Sequence, residues 1–250
     1  MERHAEVTVV ANAASIAEEA ARRIVRIARD AVKARGRFMV ALAGGATPRA
    51  TYAHLSQHPL VDQMPWTRTW VFFGDERGVP PEHPESNYRM AYDAFLAKVP
   101  IPAEQIFRMR GEAEDLDAAA SDYARLLAKA FGTRRGEVPR FDLVLLGIGI
   151  DGHVASLFPG SPVVKEIFRT VAAVHAAAAA IPERMTLTLP VFTAAAHVVF
   201  LASGAEKAKA VKAVLADGTL LPAGMVMPAD GQLEWILDRP AASLLPSRRR

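Results

Sequence analysis

Two rhythms alternate along this 250-residue chain, and their order predicts the fold. Short apolar runs bounded by breakers, the signature of buried strands, occur at Phe38 to Ala43, Thr69 to Phe73, Phe141 to Leu146 and His197 to Ala202. Shorter or weaker runs at Glu6 to Ala11, Gln105 to Arg108, Val171 to Val174, Met185 to Leu189 and Trp235 to Leu237 complete the strand set. Between them the spacing becomes helical. Ile16, Ala20, Ile24, Ile27 and Ala31 mark a helix over 15–34, opened by the capping-box pair Ser15 and Glu18 and stopped by Gly36. Thr47 is placed to cap a helix whose first residue is Pro48, and Ser86 one that carries Tyr88, Ala91, Tyr92 and Phe95. Further helices are expected at 115–131, briefly after Pro162, from Glu206 to near Gly218, and as a short tail at Ala241 to Leu245. Strands alternating with helices predict an α/β fold of three layers, a doubly wound and mainly parallel sheet covered on both faces. Prolines and glycines are scattered rather than concentrated, so 1–250 is read as one domain.

Ligands of such sheets bind outside the carboxyl ends of the strands, and there this chain carries its unusual loops. The run Phe141 to Leu146 ends in Gly147-Ile148-Gly149-Ile150-Asp151-Gly152-His153. These residues contain G-x-G-x-x-G, but a dinucleotide fingerprint needs a long helix next and an acid about 20 residues on. Pro159-Gly160-Ser161-Pro162 forbids the first, and the region around Arg169 lacks the second. A glycine loop that brings backbone close to a small ligand, with His153 aimed into the site, is the better reading; a loop histidine bonded to a carbonyl is the bland one. Gly44-Gly45-Ala46-Thr47-Pro48, between a strand and a helix start, makes either a phosphate or carboxylate cradle or an ordinary turn. Asp75-Glu76-Arg77 is either a solvated turn or a set of active-site groups.

Composition narrows the classes. With 51% hydrophobic and 23% charged residues the chain is no disordered segment, and without cysteine it has neither disulfides nor a thiolate metal site. The net charge of +3 raises the question of nucleic acid, yet three of the thirty basic residues are the terminal Arg248-Arg249-Arg250. The others alternate with acids as on a solvated helix face, so no nucleic-acid partner is expected, whereas an anionic small substrate suits the balance. No run reaches 18 apolar residues and the start lacks a signal pattern, so the expectation is a soluble cytoplasmic protein with no membrane partner.

The motifs, taken together, resemble the 6-phosphogluconolactonases, within the wider group that includes glucosamine-6-phosphate deaminase. The resembling stretches are 43–48 (AGGATP), 74–77 (GDER) with Ser86 and Asn87, 147–160 (GIGIDGHVASLFPG), 184–190 (RMTLTLP) and 204–208 (GAEKA), with Leu221 to Ala223 and Trp235 to Asp238 also fitting. Deaminases are similar at Asp-Gly-His but run on toward Phe-Asn-Glu-Pro, and carry Asp-Glu-Tyr where this chain has Asp75-Glu76-Arg77; both differences favour the lactonase. The resemblance implies a Rossmann-like sheet of the glucosamine-6-phosphate deaminase type and hydrolysis of 6-phospho-D-glucono-1,5-lactone. His153 is then the base that activates water, with Asp75 or Asp151 orienting the ring or holding sugar hydroxyls, Asp75 being preferred. Arg77 and Lys207, with Gly44, Gly45 and Thr47, hold the phosphate, and Arg184 is a third cation. The bland reading of Lys207 is a lysine on a helix face. No cofactor and no metal are implied, and Ser156 lies in no G-x-S-x-G elbow. A monomer or weak homo-oligomer is expected. Ala43 and Ala46 stand where the family usually has serine, Thr193 where asparagine is common, and Ile150 and Val154 where a polar residue and threonine are usual. A deaminase and a non-catalytic sugar-phosphate sensor are the alternatives.

Overall fold

In the computed structural model, which describes residues 5–134 and 136–246, six parallel strands form the central sheet. In chain order the strands are β1 (Glu6–Val10), β2 (Phe38–Leu42), β3 (Thr69–Phe73), β4 (Asp75–Arg77), β5 (Leu143–Leu146), β6 (Val171–His175), β7 (Glu183–Leu187), β8 (His197–Ala202) and β9 (Gln232–Asp238). The central sheet runs β1-β9-β8-β5-β2-β3, and a second, antiparallel sheet runs β4-β7-β6. The helices are α1 (Ala13–Arg35), α2 (Ala46–Leu55), α3 (Leu60–Gln63), α4 (Asn87–Ala94), α5 (Leu116–Phe131), α6 (Leu189–Ala194), α7 (Ala208–Leu215) and α8 (Pro222–Met225). Arg248-Arg249-Arg250 and the opening Met1 to His4 lie outside the described residues. Among those described, no helix is long and apolar enough to cross a membrane.

The three layers follow from the period of two. On β2, Phe38, Val40 and Leu42 point into a core shared with α1, α2 and α4, while Met39 and Ala41 enter the opposite core with Tyr123 and Leu127 of α5. Strand β5 divides in the same way, Leu143 and Leu145 to one side, Val144 and Leu146 to the other. A strand buried on both faces reads as a continuous apolar run, which is why these two were legible.

Several local expectations are corrected. Helix α1 starts at Ala13, with Asn12 as its cap: the Asn12 carboxamide oxygen accepts the Ser15 N–H at 3.0 Å. Ala13 and Ala14 are strong helix formers, so the helix extends back past Ser15 to the next capping residue. Thr47 caps nothing. Helix α2 starts at Ala46, and Gly45 occupies the cap at φ 104°, a backbone conformation that L side chains rarely adopt. Gln105 to Arg108 contributes only one bridge, Ile106 with Val71. Ala241 to Leu245 forms turns, because Pro240 and Pro246 leave too few residues to nucleate a helix. The largest correction is the second sheet. Asp75-Glu76-Arg77 is a strand, and with β6 and β7 it stands beyond the end of β3, joined to the main sheet where Leu187 N–H donates to Gly74 O at 2.8 Å.

Candidate active site

The loops leaving β2, β3, β5 and β8 enclose a cleft of about 410 Å³ at the carboxyl ends of the parallel strands. Gly44, Gly45, Asp75, Arg77, His153, Arg184 and Lys207, seven of the residues singled out from the sequence, line it together with Gly74, Gly147, Gly149, Ile150 and Ala155. Thr47 does not line it: half-buried in the first turn of α2, it gives its carbonyl to Thr51 Oγ1. Asp151 reaches the site through His153.

His153 is held by its own loop. Asp151 Oδ1 accepts the His153 backbone N–H at 3.1 Å and lies 2.6 Å from ring Nδ1. With the carboxylate on Nδ1, that nitrogen carries the proton and Nε2 is left as the acceptor. Burial works to raise the Asp151 pKa, but the His153 N–H, charge and ring together hold the carboxyl below its ordinary range, so it stays ionised. Asp151 is therefore the ring's partner, which leaves Asp75 the other of the two tasks expected of these acids, the sugar hydroxyls. Gly149 is required beneath them, since a methyl there would overlap His153 Nδ1 and Cε1.

Asp75 is buried, facing the cleft, and fixed from behind: Ser156 Oγ donates to Oδ2 at 2.7 Å and Asn87 Nδ2 to Oδ1 at 3.0 Å. Gly44 closes on the same Asn87, whose carboxamide leaves no room for a side chain at 44. Glu76 has a structural task. Its carboxylate accepts the N–H groups of Arg77 (2.8 Å), Asn87 (2.7 Å) and Tyr88 (2.9 Å) and the Ser86 hydroxyl (3.0 Å), tying β4 to the start of α4. Burial pushes its pKa up against the pull of those four donors.

Three cations converge. Arg77 and Arg184 are directly paired residues of the antiparallel β4 and β7. Like charges so placed destabilise a sheet unless something offsets them. Arg77 Nη1 donates to Glu85 O at 2.6 Å, while its buried Nε has no hydrogen-bond partner. Burial lowers the Arg184 pKa first, and Arg77 lowers it further, against the attraction of Asp75. Lys207 lies in the one-turn helix Ala205–Lys207 ahead of α7, lines the cleft, and forms no ion pair among the described residues. The turn beneath it is anchored by Asp238, which accepts from Ser203 Oγ (2.6 Å), Gly204 N–H (3.1 Å) and Ala241 N–H (2.8 Å). No three His, Cys, Asp or Glu side chains among the described residues converge closely enough to ligate a metal ion.

The sequence reading missed the supports. Ser156 and Asn87 lay inside quoted motifs, yet nothing local marks them as the hands on Asp75, because β4, the start of α4 and the 147–160 loop meet only in the fold. The arrangement offers a base with a free imidazole nitrogen, a fixed carboxylate and a concentrated positive field within one small cleft.

Comparison with known proteins agrees with that geometry. The family model for glucosamine-6-phosphate isomerases/6-phosphogluconolactonase matches residues 11–235. The probable chloroplastic 6-phosphogluconolactonase 3 of Oryza sativa subsp. indica is 40% identical over 242 residues, 93% of this chain and 73% of that protein. The chloroplastic 6-phosphogluconolactonase 3 of Arabidopsis thaliana is 42% identical over 220 residues, 85% and 67% of the two chains. The solved 6-phosphogluconolactonase of Trypanosoma brucei superimposes with a TM-score of 0.87 at 31% identity, covering 98% of this chain and all of that one. Site and comparisons converge: the chain belongs to the family of glucosamine-6-phosphate isomerases and 6-phosphogluconolactonases.

Proposed function

We propose that the chain hydrolyses 6-phospho-D-glucono-1,5-lactone to 6-phosphogluconate, as a single lactonase domain over 1–250. The observation that carries this is the His153–Asp151 pair sharing one cleft with Arg77, Arg184 and Lys207. A volume of about 410 Å³ suits a single phosphosugar. His153 Nε2 takes a proton from water as the oxygen adds to the C1 carbonyl, and Asp151 steadies the imidazolium that forms. The tetrahedral intermediate then collapses, the bond from C1 to the ring oxygen breaks, and the imidazolium returns its proton to that oxygen. Asp75, held by Ser156 and Asn87, presents its carboxylate to the sugar hydroxyls. Arg77 and Lys207, with the N–H groups that open α2 behind Gly44 and Gly45, hold the phosphate, and Arg184 adds a third charge. A dianion there also offsets the repulsion between Arg77 and Arg184. The loops of one chain build the whole cleft, so a monomer or weak homo-oligomer suffices. The cytoplasm is the proposed compartment, although the plant relatives above are chloroplastic by name.

The test is a continuous assay of lactone hydrolysis corrected for the spontaneous reaction. His153→Ala should lose about 10²- to 10⁴-fold in kcat. Lys207→Ala should weaken 6-phosphogluconate binding by about tenfold or more with kcat largely kept. Glucosamine 6-phosphate should release no ammonia. Absence of turnover above the spontaneous rate in the wild type, or an unimpaired His153→Ala, overturns the reading.

A further inference from the structure

We propose that Phe158 is a positioning residue that couples the proton-transfer end of the cleft to its phosphate end. It does so by setting the plane of the His153 ring while carrying the Arg184 guanidinium against the same aromatic ring. The inference rests on the lactonase reading and deepens it.

The hydrogen bond from Nδ1 to Asp151 fixes the imidazole at one atom and leaves the ring free to swing about that contact. Phe158 removes the freedom: its centroid lies 4.6 Å from that of His153, with 38° between the planes. Arg184 Cζ lies 5.5 Å from the same Phe158 centroid, and Arg184 Nε is spent on Ile181 O at 2.9 Å, so the aromatic contact and that one bond set where its terminal nitrogens stand. An aromatic face attracts whichever neighbour is positively charged, the guanidinium always and the imidazole once it has taken the proton. Phe158 is half-buried behind both groups rather than in the cleft wall, so it acts through them.

The chain is bent to deliver it. Val154 and Leu157 exchange backbone hydrogen bonds at 3.3 and 2.8 Å, closing a tight turn with Ala155 at φ 49°, the one residue other than glycine with positive φ among those described. Strain of that kind persists where the surroundings over-determine it. Here the turn sends Ser156 to Asp75 and brings Phe158 back against His153.

The experiment uses the full chain with Phe158→Leu, which keeps apolar bulk without an aromatic face, and Phe158→Tyr, which keeps the face. The leucine variant should lose about tenfold in kcat through a misplaced base, and its KM for the lactone should rise. Tyrosine should restore both. In an Arg184→Ala background, Phe158→Leu should lower kcat without a further change in KM. In NMR spectra the ring-current shift of the His153 carbon-bound protons should vanish with leucine and survive with tyrosine. Unchanged kcat and KM in the leucine variant, or equal damage from leucine and tyrosine, overturns the proposal. Should the wild type hydrolyse no lactone, the functional reading falls, and the NMR comparison alone decides whether Phe158 sets the ring.

Discussion

Gly149→Ala should disable the base while leaving the fold almost untouched. The change adds one methyl, and the backbone at 149 does not have the positive φ that would strain an alanine. That methyl would lie 2.5 Å from Asp151 Oδ1 and overlap His153 Nδ1 and Cε1, well inside the 3.4 Å at which ordinary contact begins. The imidazole must therefore retreat by about 1 Å or abandon its bond to Asp151. It cannot yield cheaply, being held by Asp151 on one side and Phe158 on another. A displacement of that size costs about 10²-fold in rate, or about 2.7 kcal/mol in the barrier, and loss of the Asp151 bond would add to it. Stability should fall by about 1–2 kcal/mol, the cost of the displaced ring and its weakened bond to Asp151, because both cores stay intact. The assay is kcat for lactone hydrolysis beside a urea melt. An alanine variant within threefold of wild-type kcat would show that ring placement does not limit the reaction.

Two further outcomes follow from groups outside the cleft. Asp238→Ala strands the Ser203 hydroxyl and the Gly204 and Ala241 N–H groups, and should cost about 2–4 kcal/mol in urea denaturation while raising KM as Lys207 loses its platform; unchanged stability would refute the anchoring role. Glu166 is held near a pKa of about 2, below its ordinary 4.5, by the N–H groups of Arg169 and Phe168 and by the Arg169 side chain. Its folded-state pKa is depressed, so its stabilisation is complete above about 4.5 and is lost as pH falls from there toward 2. Glu166→Gln should flatten that limb of the stability profile, and an identical acid limb in the variant would count against the assignment.

What the sequence disclosed divides by the range of the interactions involved. The strands β2, β5 and β8 and the helix α1 were legible because their signals are local and repeated: nine buried residues recur along α1, and Gly36 at φ 74° ends it. Strand β4 was illegible. Three charged residues carry no strand pattern, and they form one only because β7, over a hundred residues later, supplies the hydrogen bonds. The side-by-side placement of Arg77 and Arg184 rests on the same pairing and was equally hidden. Local turn chemistry misled at Thr47, where a good capping residue stood two places beyond a glycine already in the required conformation. The two acids differ in the same way. The Asp151 bond spans two residues and is readable from spacing alone, whereas the setting of Asp75 depends on Ser156, eighty-one residues away.

This division explains how the site is assembled. The base and its orienting acid come from one short loop, so their geometry survives small shifts between elements. The cations come from β4, β7 and the turn before α7, and the carboxylate of Asp75 is pinned by side chains from two further segments. Proton transfer needs placement within a fraction of an ångström, whereas attraction between a dianion and several cations falls off slowly with distance. The short-range requirement is met by the most local structure and the long-range one by the most distributed. The contact from His153 through Phe158 to Arg184 is where the two meet, so a perturbation there should register at both ends of the substrate.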